Sequence, residues 1–221
     1  MRKIFIITFV LILLLSGCGK SKSSLAPIKN ITLSNSSDVS ESAKEAYSDL
    51  TNGNVLLPTD YVIIETTTGD YKINEVLEEQ YPDLKLPSKD YTDTVNGKSN
   101  VWIFVTYNRR GKEKILIKNG KNVKILPVRN NTFKKVAIAY DKCKDSTVII
   151  KKVKEYFEKY YKNADITGIE LVASGYVNSD FPFPLYGFSY SITKPQGTIF
   201  FSANNGVFVL ASGIWTKVTK P

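Results

Sequence analysis

Two thiols and no imidazole bound the chemistry open to this chain. Cys18 and Cys143 are its only cysteines, and histidine is absent. That removes Ser-His-Asp and Cys-His machinery, zinc sites built on imidazole, and a side chain that shuttles protons near neutrality. Cys143 lies between Lys142 and Lys144, whose charge favours a thiolate, yet no redox or protease scheme follows without a histidine or second free thiol. Its expected role is that of a small, part-buried residue. Carboxylates are the remaining acid–base groups. A glycosidase needs two acids ~5–9.5 Å apart, one with a raised pKa. Glu155/Glu158 and Asp90/Asp93 have helix-turn or loop spacing, but neither pair is expected to sit enclosed among aromatics that would raise a pKa. Asp141-Lys142-Cys143-Lys144-Asp145 lacks the oxygen density and glycine of a calcium loop. No glycine-rich phosphate cradle is present either, so the sequence implies no cofactor.

Two stretches suit binding better than catalysis. From Lys134 to Lys162 there are nine lysines against Asp141, Asp145, Glu155 and Glu158. On a helix, Lys151, Lys152 and Lys154 fall off the apolar stripe and face solvent, where they suit anionic headgroups or an anionic wall polymer. A solvated helix face is the plainer reading. The second stretch is Phe181-Pro182-Phe183-Pro184-Leu185-Tyr186, which concentrates apolar surface where a loop should be polar. Its prolines lower the ordering cost of binding, making Phe181, Phe183 and Tyr186 candidates for a contact surface. The alternative is that these rings tuck into the end of the core. A nucleic-acid partner is not expected, because the basic stretch lacks arginine interleaved with exposed aromatics.

The elements that would hold these residues are legible from periodicity. Ser40 to Leu50 predicts a short helix with Ala43, Ala46, Tyr47 and Leu50 on one face. Tyr61 to Thr67 predicts a strand, and Ile73, Val76, Leu77 and Tyr81 mark a second helix ended at Pro82. A meander follows, with strands at Val101–Tyr107, Glu113–Lys118 and Val123–Val128 and a hairpin signal at Asn119-Gly120. Val136 to Tyr140 reads as another strand. The clearest helix runs from Ser146 to Lys162, its stripe formed by Ile149, Val153, Tyr156, Phe157 and Tyr160. Four strands close the chain at Ile166–Val177, Tyr186–Thr193, Thr198–Ala203 and Val207–Ala211, with a second Asn-Gly turn at Asn205-Gly206.

Both halves therefore read strand, helix, meander. A shift of 86 residues places Asn119-Gly120 on Asn205-Gly206, Gly111 on Gly197, Val123 on Val209, Trp102 on Phe188 and Phe104 on Tyr190. The expected fold is α+β, mainly antiparallel sheet with helices on one face. It is read as one domain over 39–221, with two diverged βαβββ halves at about 55–130 and 131–221.

The first residues carry an address. Arg2 and Lys3 precede an apolar run from Ile4 to Leu15 broken only by Thr8. That run suits the core of a secretory signal and falls short of the ~20 residues a membrane-spanning helix needs. Leu15-Ser16-Gly17-Cys18 then resembles the lipobox of bacterial lipoproteins. The resemblance implies diacylglyceryl transfer to Cys18, cleavage after Gly17, and a mature protein held on the outer face of the cell membrane. Residues 1–17 are then a signal peptide and 18–38 a flexible tether rich in serine and lysine. The formal charge of +9 falls to +7 as Arg2 and Lys3 depart with the signal. Once Cys18 is lipidated, Cys143 alone remains, so no intramolecular disulfide can form. The expected function is a non-catalytic binding module of the cell envelope, partnered by the membrane through Cys18 and by an envelope protein or anionic wall polymer. The alternative is a cell-wall glycosidase working through carboxylates alone.

Overall fold

The computed structural model describes residues 25–34, 36, 40–66, 71–84, 96–129, 132, 137–160, 165–172, 185–191 and 196–213. Cys18, Phe181, Phe183 and the Asp90/Asp93 pair lie outside them. The protein is α+β. In chain order its strands are β1 Lys29–Thr32, β2 Glu41–Ser42, β3 Asp60–Thr66, β4 Lys98–Ser99, β5 Val101–Asn108, β6 Glu113–Asn119 and β7 Asn122–Val128, followed by β8 Asp165–Val172, β9 Leu185–Ser191, β10 Gln196–Ser202 and β11 Phe208–Gly213. Helices α1 Ala43–Asn52, α2 Tyr71–Gln80 and α3 Ser146–Tyr160 pack on them. Among the described residues, nine strands form one antiparallel sheet in the order β1-β7-β6-β5-β3-β8-β9-β10-β11, and β2 pairs separately with β4.

Strand alternation splits the core into two layers. On one face Trp102, Phe104, Leu116, Ile199 and Phe201 pack under α1 and α3, which contribute Ala46, Leu50, Ile149, Val153 and Phe157. On the other, Val101, Ile103, Val105, Ile115 and Ile117 meet Ile73, Val76 and Leu77 of α2. The expectation of helices on one face is thus corrected. Both parities of β5 are apolar over Val101–Val105 and all five residues are buried, so the strand has two faces to cover.

The expected boundary of the tether is also corrected. Residues 29–32 form the edge strand β1, with Lys29 opposite Ile125 and Thr32 opposite Asn122. Leu33 enters the core and Ser36 is buried. The folded body therefore begins ten residues earlier than 39. An edge strand needs only backbone pairing on one side, and β1 buries little side chain, so it leaves no hydrophobic period to read.

The two halves share a strand order, although not as βαβββ units. The order β7-β6-β5-β3 followed by β8-β9-β10-β11 is two four-stranded meanders joined antiparallel at β3 and β8. Each innermost strand carries an irregularity at a matching place, between Val62 and Ile64 in β3 and between Ile166 and Gly168 in β8. Gly120 and Gly206, aligned by the 86-residue shift, both turn hairpins with φ of 52° and 73°. The unit, however, is a helix followed by four strands. Residues 137–139 form no strand and Tyr140–Lys142 is a 3-10 turn, so the second unit starts at α3, and α2 is an addition between β3 and β5. The 3-10 turn is held by packing: the Tyr140 ring stacks on Tyr47 at 4.3 Å and its hydroxyl donates to Ala43 O at 2.9 Å.

Helix starts are specified locally. Ser42 caps α1, accepting from Glu45 N while Glu45 accepts from Ser42 N, a reciprocal capping box. Asp145 Oδ1 accepts from Ser146 N at 2.8 Å and also from Lys44 N at 3.2 Å. One carboxylate therefore serves the N-terminal turns of both α1 and α3, where negative charge also suits the helix dipoles.

Candidate functional site

The strongest concentration of buried charge in the described residues surrounds Lys118, whose side chain is 0% exposed. Trp102 and Leu116 share its side of the sheet, so strand parity turns the lysine inward under α1. Its ammonium pairs with Glu41 of β2 and lies 3.3 Å from Asp49 of α1. It also donates to Ser36 Oγ at 3.0 Å and Gly120 O at 2.9 Å. Trp102 Nε1 donates to Glu41 O at 3.0 Å, fixing the backbone that carries the carboxylate. The cluster clips Ser36, β2 and α1 onto β6.

Burial outweighs the lowering effect of Lys118 and pushes Glu41 up to about 7, from an ordinary value near 4.5, with Asp49 adding repulsion. A raised folded-state value means that the stabilising contribution is full below pH ~4.5 and is lost as pH rises through ~7. Unfolding free energies of wild type and Glu41→Gln, measured across that window, should diverge in favour of the glutamine variant by on the order of 3 kcal/mol. Parallel profiles would show that Glu41 titrates as it does unfolded.

Glu41 and Asp49 both engage one fully buried ammonium, that of Lys118. The adjoining cleft of about 250 Å³, lined by Leu33, Ser34, Ser36, Asp49, Asn52 and Gly53, does not include Lys118. Glu155 forms an ion pair with Lys152 at 3.8 Å on the exposed face of α3. Among the described residues no group of His, Cys, Asp and Glu has the arrangement to hold a metal ion.

The contact residues read from sequence fall in different places. Lys151 and Lys152 are exposed and Lys154 is half-buried, interleaved with Glu155 and Glu158 rather than forming an uninterrupted basic face. Tyr186 is corrected: its ring is 0% exposed and its hydroxyl donates to Lys144 O at 3.0 Å. It packs between β9 and the start of α3 and is no part of an outer surface. Cys143 is 2% exposed within the core.

Two surface features escaped sequence reading. One is a cleft of about 410 Å³ at the β1 edge, where Asn30, Asn119 and Asn122 stand with Ile31, Leu84, Ile117 and Val123. It exists only because β1 pairs with β7. The other is the β5–β6 hairpin tip, where Arg109, Arg110 and Lys112 line a shallow cleft of about 330 Å³ with Thr59 and Asn108. Asn108 Oδ1 accepts from the backbone N–H groups of Arg110 and Lys112, both at 3.0 Å, which shapes the tip and leaves the three cations projecting. The Arg-Arg-Gly-Lys run was the available signal.

The fold and these surfaces define an α+β protein with, among the described residues, a central antiparallel sheet, a helix pair on one face and a single helix on the other. No protein-family model matches the chain. No curated protein matches it. Among solved structures it is similar to the crystal structure of a putative lipoprotein from Clostridium difficile 630, with a TM-score of 0.48 and 8% sequence identity, covering 81% of this chain and 96% of that one. Among the described residues no helix is long and apolar enough to cross a membrane.

Proposed function

We propose that the protein is a lipid-anchored lipoprotein of the bacterial cell envelope, acting outside the membrane as a non-catalytic interaction module. The observation that carries the reading is Leu15-Ser16-Gly17-Cys18 directly behind a basic start and a twelve-residue apolar run. Two acyl chains on Cys18 give stable anchoring where one gives only marginal binding. With β1 starting at Lys29, the tether is Gly19 to Ile28, which reaches at most ~35 Å when fully stretched. The body is thereby kept near the headgroups. The β1-edge cleft, with amides beside apolar side chains, supports binding of an envelope protein or wall polymer.

Fractionation of wild type and Cys18→Ala from the native host, with mass spectrometry of the mature N-terminus, tests the address. Wild type is expected in the membrane with a diacylated Cys18, and the alanine variant unprocessed or released. Soluble wild-type protein with an unmodified Cys18 would overturn the reading.

A further inference from the structure

We propose that the end of the sheet bearing the β5–β6 hairpin docks on an anionic lipid surface, so that the anchored body sits on the membrane in one orientation. The inference rests on the lipoprotein reading above and adds which face meets the bilayer.

Charge is the first argument. The chain has four arginines, and two of them, Arg109 and Arg110, stand side by side at this tip with Lys112. All three are exposed, and none forms an ion pair with a carboxylate among the described residues. The neighbouring acids are engaged: Asp60 with Lys114 at 2.6 Å and Glu79 with Arg129 at 2.8 Å. Glu113 is buried and accepts from Thr132 N at 3.0 Å. The tip therefore presents uncompensated positive charge, and a planar guanidinium fork matches a phosphate geometrically.

Apolar exposure is the second. The turn before β3 places Leu57 at this end, 45% exposed, next to exposed Pro58. Tyr61, 36% exposed, stacks on Tyr107 at 5.1 Å on the adjoining strand. Amphipathic rings beside basic residues are the composition found at a membrane–water interface.

The path of the chain is the third. β1 runs antiparallel to β7, with Thr32 opposite Asn122 and Lys29 opposite Ile125. β7 ends at Val128, which pairs with Glu113 at the foot of the arginine hairpin. The anchoring segment thus enters β1 from the end of the sheet that carries Arg109, Arg110 and Lys112. The tip lies between β5 and β6, two to three strand spacings from β1, a lateral distance of roughly 12 Å. A ten-residue tether leaving beside a cationic, aromatic end brings that end to the headgroups first.

The test uses the lipidated protein reconstituted in vesicles of phosphatidylcholine alone or of phosphatidylcholine with phosphatidylglycerol. A fluorophore is placed on Thr59→Cys at the hairpin end or on Asn122→Cys at the opposite end, and quenching by a headgroup nitroxide lipid is read. Strong quenching at position 59, weak quenching at 122, and dependence on phosphatidylglycerol are expected. In R109Q/R110Q/K112Q the docked-to-free ratio should fall by on the order of a hundredfold at low salt, with an unchanged melting curve. Equal quenching at both ends, or quenching at 59 that ignores the three charges, overturns the proposal. Retention on phosphatidylcholine alone reports the lipid anchor separately. Its loss would sink the lipoprotein reading, while charge-dependent quenching on phosphatidylglycerol vesicles would still decide the docking face.

Discussion

Lys118→Ala is expected to destabilise the protein by about 3–5 kcal/mol, the range found when one partner of a buried ion pair is removed. The side chain is fully buried and meets two carboxylates, a serine hydroxyl and a backbone carbonyl. Its removal leaves Glu41 buried beside Asp49 with no counter-charge, and leaves Gly120 O and Ser36 without its ammonium. For a domain of this size the melting temperature should drop by roughly 6–20 °C. The loss should grow with pH. Without Lys118 the Glu41 carboxyl is held above its already raised value of about 7, so the variant keeps a protonated Glu41 at pH 5, and by pH 8 it must either hold that proton or bury a charge, both at a cost relative to the ionised unfolded chain. Adding Glu41→Gln to Lys118→Ala should recover part of the stability at pH 8 and little at pH 5. Urea titrations at the two pH values decide it: a pH-independent loss under about 1 kcal/mol would mean the cluster is solvated and contributes little.

Gly97→Ala should be nearly as damaging, for a steric reason. Gly97 has φ of 75°, a conformation that costs an L-residue about 1–2 kcal/mol. A Cβ there would lie 2.6 Å from Ser146 O, 2.8 Å from Ser146 C and 3.0 Å from Thr147 Cα. These are backbone atoms of the first turn of α3, so no side-chain rotation relieves the contact. The same junction holds both helix starts: Ser146 Oγ donates to Gly97 O at 2.6 Å and accepts from Ala43 N at 3.0 Å. Overpacking adds about 1–3 kcal/mol, for a total of roughly 2–5 kcal/mol. Gly111→Ala provides the comparison, since Gly111 shares the φ of 75° but turns a hairpin tip. Its cost should stay near ~1–2 kcal/mol. If the two variants melt together, crowding against α3 contributes nothing and the prediction for Gly97→Ala is lost.

Both predictions concern residues that periodicity alone passes over. Lys118 ends a strand written Glu113-Lys114-Ile115-Leu116-Ile117-Lys118, where a terminal lysine reads as solvent-facing. Parity with Leu116 puts it inward, but only the arrival of Glu41 and Asp49 makes burial tolerable, and those come from elements 69 to 77 residues away. Gly97 sits in what reads as a polar loop, and its need for a missing Cβ arises from α3, about fifty residues downstream. Tyr186 shows the reverse error. An aromatic beside Pro182 and Pro184 reads as a contact residue, yet its hydroxyl finds Lys144 O and its ring fills the core.

What the sequence by itself determined is whatever depends on neighbours a few residues apart. Apolar alternation specified the strands of both meanders, the i, i+3, i+4 stripes specified three helices, and glycines at hairpin turns marked reversals near 120 and 206. The lipobox spacing specified an expected address in the same local way. What only the tertiary structure decided is whatever depends on pairing across long separations. The edge strand β1 is defined by Ile125 to Asn122 rather than by its own four residues, which is why the folded body starts at 29. The split of helices across two sheet faces follows from a β5 that is apolar on both sides, and pattern alone does not say which helix takes which side. The joining of two meanders at β3 and β8 is a contact about 106 residues apart. The placing of Arg109, Arg110 and Lys112 at the end from which the chain enters β1 follows from strand direction in the assembled sheet. Local chemistry writes the elements, and burial and backbone pairing, which reward contacts regardless of sequence distance, decide which of them meet.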